Sequence, residues 1–276
     1  MIYETYRPRP PLSQFVDWFW FFSDCDVPYH KERMLPDGTF ELVIDLKDER
    51  RTLFDRHDPA RDQHFRRAWL SGTHSKYIVI DVLPGASMIG VHFKPGGIAP
   101  CLRLPAGELT DRVVELDAIW NNQAWDLRDA LLEQPNPRAK FDVLEAFLLR
   151  RLWMARKPPE NSRGIAFLLD RLIREPHALK LRQVARELGV SHKHFIEAFR
   201  AVVGLTPKRF CRIRRFQEVL QQVEMQQAVQ WADLACACGY YDQAHFVHDF
   251  RGFSGLSPSA YLTQRGEYLN FVPMTD

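Results

Sequence analysis

The sequence predicts an α+β N-terminal part, rich in strands and barrel-like with helices after them, followed by an all-α C-terminal part. Three observations carry this. Strand-like alternation runs through segments between Phe15 and Lys94, whereas helical spacing dominates from Asp126 onward. One pattern occurs twice near the C-terminus: Ser191, Phe195, Phe199 and Gly204-Leu-Thr-Pro207 recur 51 positions later as Asp242, Phe246, Phe250 and Gly255-Leu-Ser-Pro258. Finally, a proline-rich interruption separates the two regimes.

The strands come first. FVDWFWFF (Phe15–Phe22) is strongly apolar and is expected to pack into the sheet. FELVIDL (Phe40–Leu46) alternates in part after the turn signal LPDG, and YIVIDVL (Tyr77–Leu83) is a β-branched run. SMIGVHFK (Ser87–Lys94) sets Ile89, Val91 and Phe93 against Gly90, His92 and Lys94. Together they read as a β-rich, barrel- or cupin-like unit. DLRDALLEQ and PRAKFDVLEAFLLRRLWMA then read as two helices, the second opened by Asn136-Pro137 and carrying Phe141, Leu144, Leu148 and Leu152 along one stripe. That stripe is either core or the seam of a homodimer. ARKPPENSR marks a boundary, which divides the chain into 1–155, a linker 156–162, a helical part 163–265 and a tail 266–276.

Each copy of the repeat reads as a helix-turn-helix unit, at about 181–202 and about 231–253. In the first, Leu181, Val184, Ala185 and Leu188 share a face, Gly189 ends the helix, Val190 plugs the corner and Ser191 caps the next helix. In the second, Leu234, Ala235, Gly239, Tyr240 and Asp242 play the same parts, with one extra residue in the turn. The phenylalanines four apart in both second helices must point inward, which fixes the outward face. It holds His192, Lys193, Ile196, Glu197 and Arg200 in one copy, and Gln243, Ala244, His245, Val247, His248 and Arg251 in the other. These side chains can donate to purine edges, accept from cytosine or touch thymine methyls. The same face on a plain helical bundle would be solvated surface, but two copies in register favour base reading. Thr206-Pro207 opens a connecting helix over about 207–224, with Lys208, Arg209, Arg212, Arg214 and Arg215 as candidate phosphate partners.

At these residues a resemblance emerges. From Gly164 to Leu262 the chain resembles the DNA-binding domain of AraC-type transcription regulators, most specifically in GYYDQAHFVHDFRGFSGLSPSAYL. The resemblance implies base contacts from Lys193, Ile196 and Glu197, and from Gln243, Ala244, His245, Val247 and His248. Where the family often has Arg ahead of the inner phenylalanine, this chain has Glu197 and His248. About the first 150 residues resemble the uncharacterised N-terminal domain found on a subset of that family, through LPDGTFELVI, IGVHFKPGG and PAGELTDRVVELDAIW, with His92 and Lys94 as departures. This implies a sensor or dimerisation module.

Composition agrees with a two-domain DNA-binding regulator. The 276 residues are 46% hydrophobic and 26% charged, ordinary for a globular protein of more than one domain. From Arg163 onward lie 15 of the 37 Lys and Arg but 11 of the 35 Asp and Glu, so the basic excess sits on the DNA side. Five cysteines without framework spacing suit a reducing cytosol, and no signal or membrane-spanning run is visible, so a cytoplasmic location is expected. The expected partners are double-stranded DNA, RNA polymerase, a small-molecule effector and a second copy of the chain. No catalysis, cofactor, metal or membrane contact is expected.

Two rival readings stay open. A cupin-type metal enzyme would need His64, His74, His92, Glu41 and Asp81 to converge, though no pair has tight ligand spacing. A cysteine alkyl-acceptor repair protein would need an activated thiolate at Cys25 or Cys101, while Cys236 and Cys238 point apart on a helix. Trp18, Trp20 and Trp69 line a pocket or fill a core.

Overall fold

The computed structural model describes residues 2–24, 26–155, 162–174, 181–187, 189–225 and 229–274. Cys25, Leu188 and nearly all of the 156–162 linker lie outside them, as does the side chain of Leu181. The N-terminal part is built from β1 (Ile2–Tyr6), β2 (Val16–Ser23), β3 (Lys31–Met34), β4 (Glu41–Asp45) and β5 (Arg51–Phe54). β6 (Gln63–Phe65), β7 (Ala68–Ser71), β8 (Ile78–Asp81), β9 (Met88–Phe93) and β10 (Val113–Glu115) follow. They form two antiparallel sheets, one in the order β1-β2-β9-β4-β7-β10. The other has the order β11-β3-β8-β5-β6, where β11 (Phe271–Met274) comes from the far end of the chain. The barrel-like expectation is thus met by two open sheets rather than one closed cylinder.

Strict alternation sorts the first sheet into two faces. Phe19 and Phe21 of β2, Leu42 and Ile44 of β4, Leu70 of β7 and Ile89, Val91 and Phe93 of β9 all turn to one buried core. The same core takes α1 (Leu116–Trp120), α2 (Gln123–Leu132) and α3 (Pro137–Met154) through Leu116, Leu127, Phe141, Leu144 and Leu148. The α3 stripe is therefore interior to the chain, which removes it as a dimer seam: Phe141, Leu144 and Leu148 are already covered by β-sheet and α2. On the opposite face Trp18, Trp20, Glu41, Val43, Trp69 and His92 look toward the second sheet. The run Phe15–Phe22 is thus a strand, and alternate residues serve two different environments.

The helices α4 (Ser162–Arg174), α5 (Leu181–Glu187), α6 (His192–Val203), α7 (Pro207–Met225), α8 (Trp231–Ala237), α9 (Gln243–Ser254) and α10 (Pro258–Gln264) share a second core. Phe195, Phe199, Phe210, Phe216, Phe246, Phe250 and Phe253 dominate it. Leu35 and Val272 belong to that same core, so the two halves are packed together and not merely tethered. After α10 the chain returns to the N-terminal part. Phe271–Met274 pairs antiparallel with Lys31–Met34, the Asn270 carbonyl accepts from Leu35 N–H at 2.8 Å, and Gln217 of α7 donates to Asn270 Oδ1 at 2.8 Å and to the Pro36 carbonyl at 2.9 Å. We call this returning segment the strap.

Because Val272 is wholly buried, its removal alone forfeits about 2 kcal/mol of apolar burial, and the strand hydrogen bonds go with it. Truncation after Arg265 is expected to split one denaturant transition into two, followed by circular dichroism and tryptophan fluorescence together. A single transition with an unchanged midpoint would show that the strap does not join the halves.

Candidate nucleic-acid interface and an internal cavity

The two helix-turn-helix units form by the same local chemistry. In each, the residue after the glycine bonds back to the small alanine: Val190 N–H to the Ala185 carbonyl at 3.0 Å and Tyr240 N–H to the Ala235 carbonyl at 2.9 Å. That closure needs a left-handed residue, and Gly189 and Gly239 supply it at φ +67° and +73°. Caps follow as the sequence indicates. The Ser191 hydroxyl accepts from His194 N–H at 3.2 Å and the Asp242 carboxylate from His245 N–H at 2.7 Å. Tyr240 is buried at its corner, whereas Val190 is half-buried.

The outward faces are only partly as expected. His192, Lys193, Glu197, Gln243, Ala244, His248 and Arg251 are exposed, with Lys193 and Glu197 a loose pair at 3.9 Å. Ile196 and Val247 are half-buried against the helical core, because the apolar stripe of a helix is wider than its phenylalanine pair. His245 lies edge-on to the Tyr240 ring, with its Nε2 3.8 Å from Asp249. Arg200 is exposed but turned to the N-terminal part, where its Nη2 donates to the Gly107 carbonyl at 3.3 Å.

Three of the five phosphate candidates are engaged by groups of the chain itself. Arg212 clasps the buried Asp249 carboxylate, Nε at 3.1 Å, and its guanidinium lies over the Phe253 ring at 5.6 Å. Arg215 donates to the Gly239 carbonyl at 3.0 Å and stacks over Tyr240 at 5.0 Å. Arg214 is half-buried near Asp37 and Asp17 of the N-terminal part, and burial holds its pKa below the usual guanidinium range. Lys208 is exposed and Arg209 half-buried. The sequence carried a signal for this. Asp249 stands three residues after Phe246 and four before Phe253, on the apolar stripe of α9, where a carboxylate requires a cation from the facing helix.

The C-terminal ends of α6 and α9 are both fastened to the N-terminal part. At α6, the Thr110 hydroxyl donates to the Gly204 carbonyl, and Gly204 sits so tightly against Thr73 and Phe40 that a Cβ there would overlap. At α9, Tyr77 N–H donates to the Phe253 carbonyl at 2.9 Å. Between them the LPDG turn presses Gly38 onto Phe210 of α7. The N-terminal ends of α6 and α9, which carry most of the exposed candidates, stay uncovered.

Between the two sheets lies a cavity of about 380 Å³. Trp18, Trp20 and Trp69 all line it, together with Tyr268 and Phe271 from the strap. The residues weighed as metal ligands do not converge: His92 Nδ1 is 2.6 Å from Glu41, the buried His74 bonds Ser71 at 2.9 Å and His64 faces Thr52 at 3.3 Å. No group of three His, Cys, Asp or Glu side chains fit for a metal occurs among the described residues. Burial pushes the Cys101 and Cys211 thiols up to about 11 and Cys238 to about 12, the opposite of thiolate activation. No helix among the described residues is long and apolar enough to cross a membrane.

With this geometry in view, comparison with known proteins places both halves. Residues 184–264 match the family described as "Helix-turn-helix domain", and residues 4–115 match the "Domain of unknown function (DUF6597)". An HTH-type transcriptional activator, AarP of Providencia stuartii, is 29% identical over 83 residues, 30% of this chain and 61% of AarP. An uncharacterised HTH-type transcriptional regulator of Haemophilus influenzae is 32% identical over 81 residues, 29% of this chain and 27% of its own. The chain thus spans less than two thirds of either relative. A solved structure of ToxT from Vibrio cholerae is similar over 95% of this chain and 98% of its own, at 11% identity and a TM-score of 0.47. The chain thus matches a helix-turn-helix domain behind a match to an N-terminal domain of unknown function.

Arg212→Ala strands a carboxylate that is 1% exposed, so it is expected to cost about 3 kcal/mol in urea denaturation. Unchanged stability with weakened DNA binding would return Arg212 to the phosphate set. The second expectation concerns His92. Burial opposes its charge, but Glu41 and Asp37 outweigh burial and hold it up to about 9 against an ordinary 6.5. The stabilisation is complete below pH 6.5 and lost as pH rises through 9. The thermal midpoint is expected to fall between pH 7 and 9, and His92→Gln to flatten that fall. Parallel curves for the two proteins would contradict it.

Proposed function

We propose that this chain is a sequence-specific DNA-binding transcription regulator without catalytic activity, in which 163–265 reads DNA and 1–155 receives an effector. The observation that carries the reading is the pair of capped helices, α6 and α9, whose exposed N-terminal faces hold Lys193 and Glu197, and Gln243 and His248. α7, 19 residues long, spans about 28 Å, a length suited to setting two reading helices on successive major grooves. Base contacts fall to His192, Lys193, Glu197, Gln243, Ala244, His248 and Arg251, and phosphate contacts to Lys208 and Arg209. The DNA-bound state requires α6 and α9 to hold one relative pose, and the N-terminal part touches the end of each. An effector in the cavity therefore acts by changing how Thr110, Tyr77 and the strap grip the helical part. RNA polymerase and a second copy of the chain are further partners of this reading, and the cytoplasm its setting.

Selection of bound sites from random duplex tests it directly. On the selected site, Gln243→Ala and Lys193→Ala should each weaken specific binding by about 1–3 kcal/mol and non-specific binding far less. Equal losses on selected and random duplex would confine both side chains to the backbone. Failure to enrich any sequence would end the reading.

A further inference from the structure

The cavity between the sheets has two unlike walls. On the first sheet the polar groups satisfy one another: Glu41 accepts from the Trp20 indole N–H and pairs with His92, and His92 stacks flat on Trp18 with ring centres 4.0 Å apart. That wall has no unmet charge to offer. On the second sheet Glu32 of β3 stands opposite Ile80 of β8 and faces the cavity. Its carboxylate makes no hydrogen bond or ion pair among the described residues. Its charged neighbour is another acid, Asp81, of which one oxygen accepts from Thr52 N–H at 2.7 Å. Arg51, the cation at this end, pairs through Nε with Asp45 at 2.9 Å, lies 3.6 Å from Glu49 and opposes the burial that raises the Asp81 pKa, with Nη1 and Nη2 making no hydrogen bond among the described residues. Burial first, and Asp81 second, push the Glu32 carboxyl up to about 7.

A carboxylate beside a second acid in a largely apolar chamber is costly unless a cation joins it, and Arg51 acts on Asp81 while Glu32 has none. The rest of the lining suits such a guest. Tryptophan faces attract cations and stack on flat apolar bodies, and about 380 Å³ lies within the range of small-molecule sites.

We propose that the cavity binds a small organic amine, its ammonium group held by Glu32 with Asp81 beside it, and its apolar body against Trp18, Trp20 and Trp69. The proposal rests on the reading of the cavity as the effector site, and it names the effector's chemistry. The ligand also meets Tyr268 and Phe271, so it touches the strap that follows the DNA-reading helices and is felt on both sides of the junction.

The test is isothermal titration of the full chain without DNA, with two probe series: tryptamine, tryptophol and indole-3-propionate, and octylamine, octanol and octanoate. In at least one series the amine is expected to bind at least about tenfold tighter than the alcohol, a margin of about 1.4 kcal/mol, and the carboxylate weakest. Glu32→Gln should bring amine and alcohol to parity while alcohol binding and the thermal midpoint hold. No amine preference in either series, or a preference that survives Glu32→Gln, overturns the proposal. The site-selection experiment is run apart from it. A chain that enriches a duplex yet shows no amine preference loses only this inference, whereas one that prefers amines and enriches no duplex loses the regulator reading and keeps the amine site.

Discussion

The interaction on which the rest of the structure depends is the fastening of α6 and α9, each by its C-terminal end, to one face of the N-terminal part. Gly204 is held by Thr110 and crowded by Thr73 and Phe40, and the Phe253 carbonyl is held by Tyr77. Neither helix could pack on its own phenylalanines and still know its position relative to the other. α7 sets their separation, and the N-terminal contacts set their pose. Since packed interfaces shift between discrete arrangements more readily than they deform, a small change at these contacts is a natural means of moving both helices together.

The strap adds a second connection of a different kind. A β-strand donated across the junction is bound by main-chain hydrogen bonds along its length, and it also supplies cavity wall. One segment therefore has a hydrogen-bonded edge, a place in the helical core through Val272 and a surface facing the chamber. Gln217, an amide on the apolar stripe of α7, bonds both the strap and the LPDG turn and so ties three elements at one point. A buried amide of this kind is tolerated because both its bonds are met.

Much of this was legible beforehand for identifiable reasons. Caps, glycine turns and paired phenylalanines are local: Ser191 and Asp242 satisfy backbone amides within three residues of themselves, so their role survives any tertiary arrangement. Alternation in Ser87–Lys94 likewise announced a strand whose two faces differ. The intramolecular partners of the arginines were not legible because a basic residue beside a presumed DNA surface looks the same whether it faces solvent or a buried carboxylate. Asp249 on the stripe of α9 was the available clue for Arg212. Arg214 and Arg215 had no comparable signal, since their neighbours Asp37 and Gly239 are brought near only by folding.

By itself the sequence determined the repeated helical units, their caps and the strand character of the N-terminal part, because each arises from interactions within a few residues. Only the tertiary structure decided that the α3 stripe is core, that the tail is a strand of a distant sheet, and that three tryptophans face a chamber holding Glu32, which has no partner among the described residues. Those outcomes depend on which surfaces meet across long stretches of chain. Hydrophobic burial rewards any apolar partner of suitable shape, so periodicity alone cannot say which partner is met.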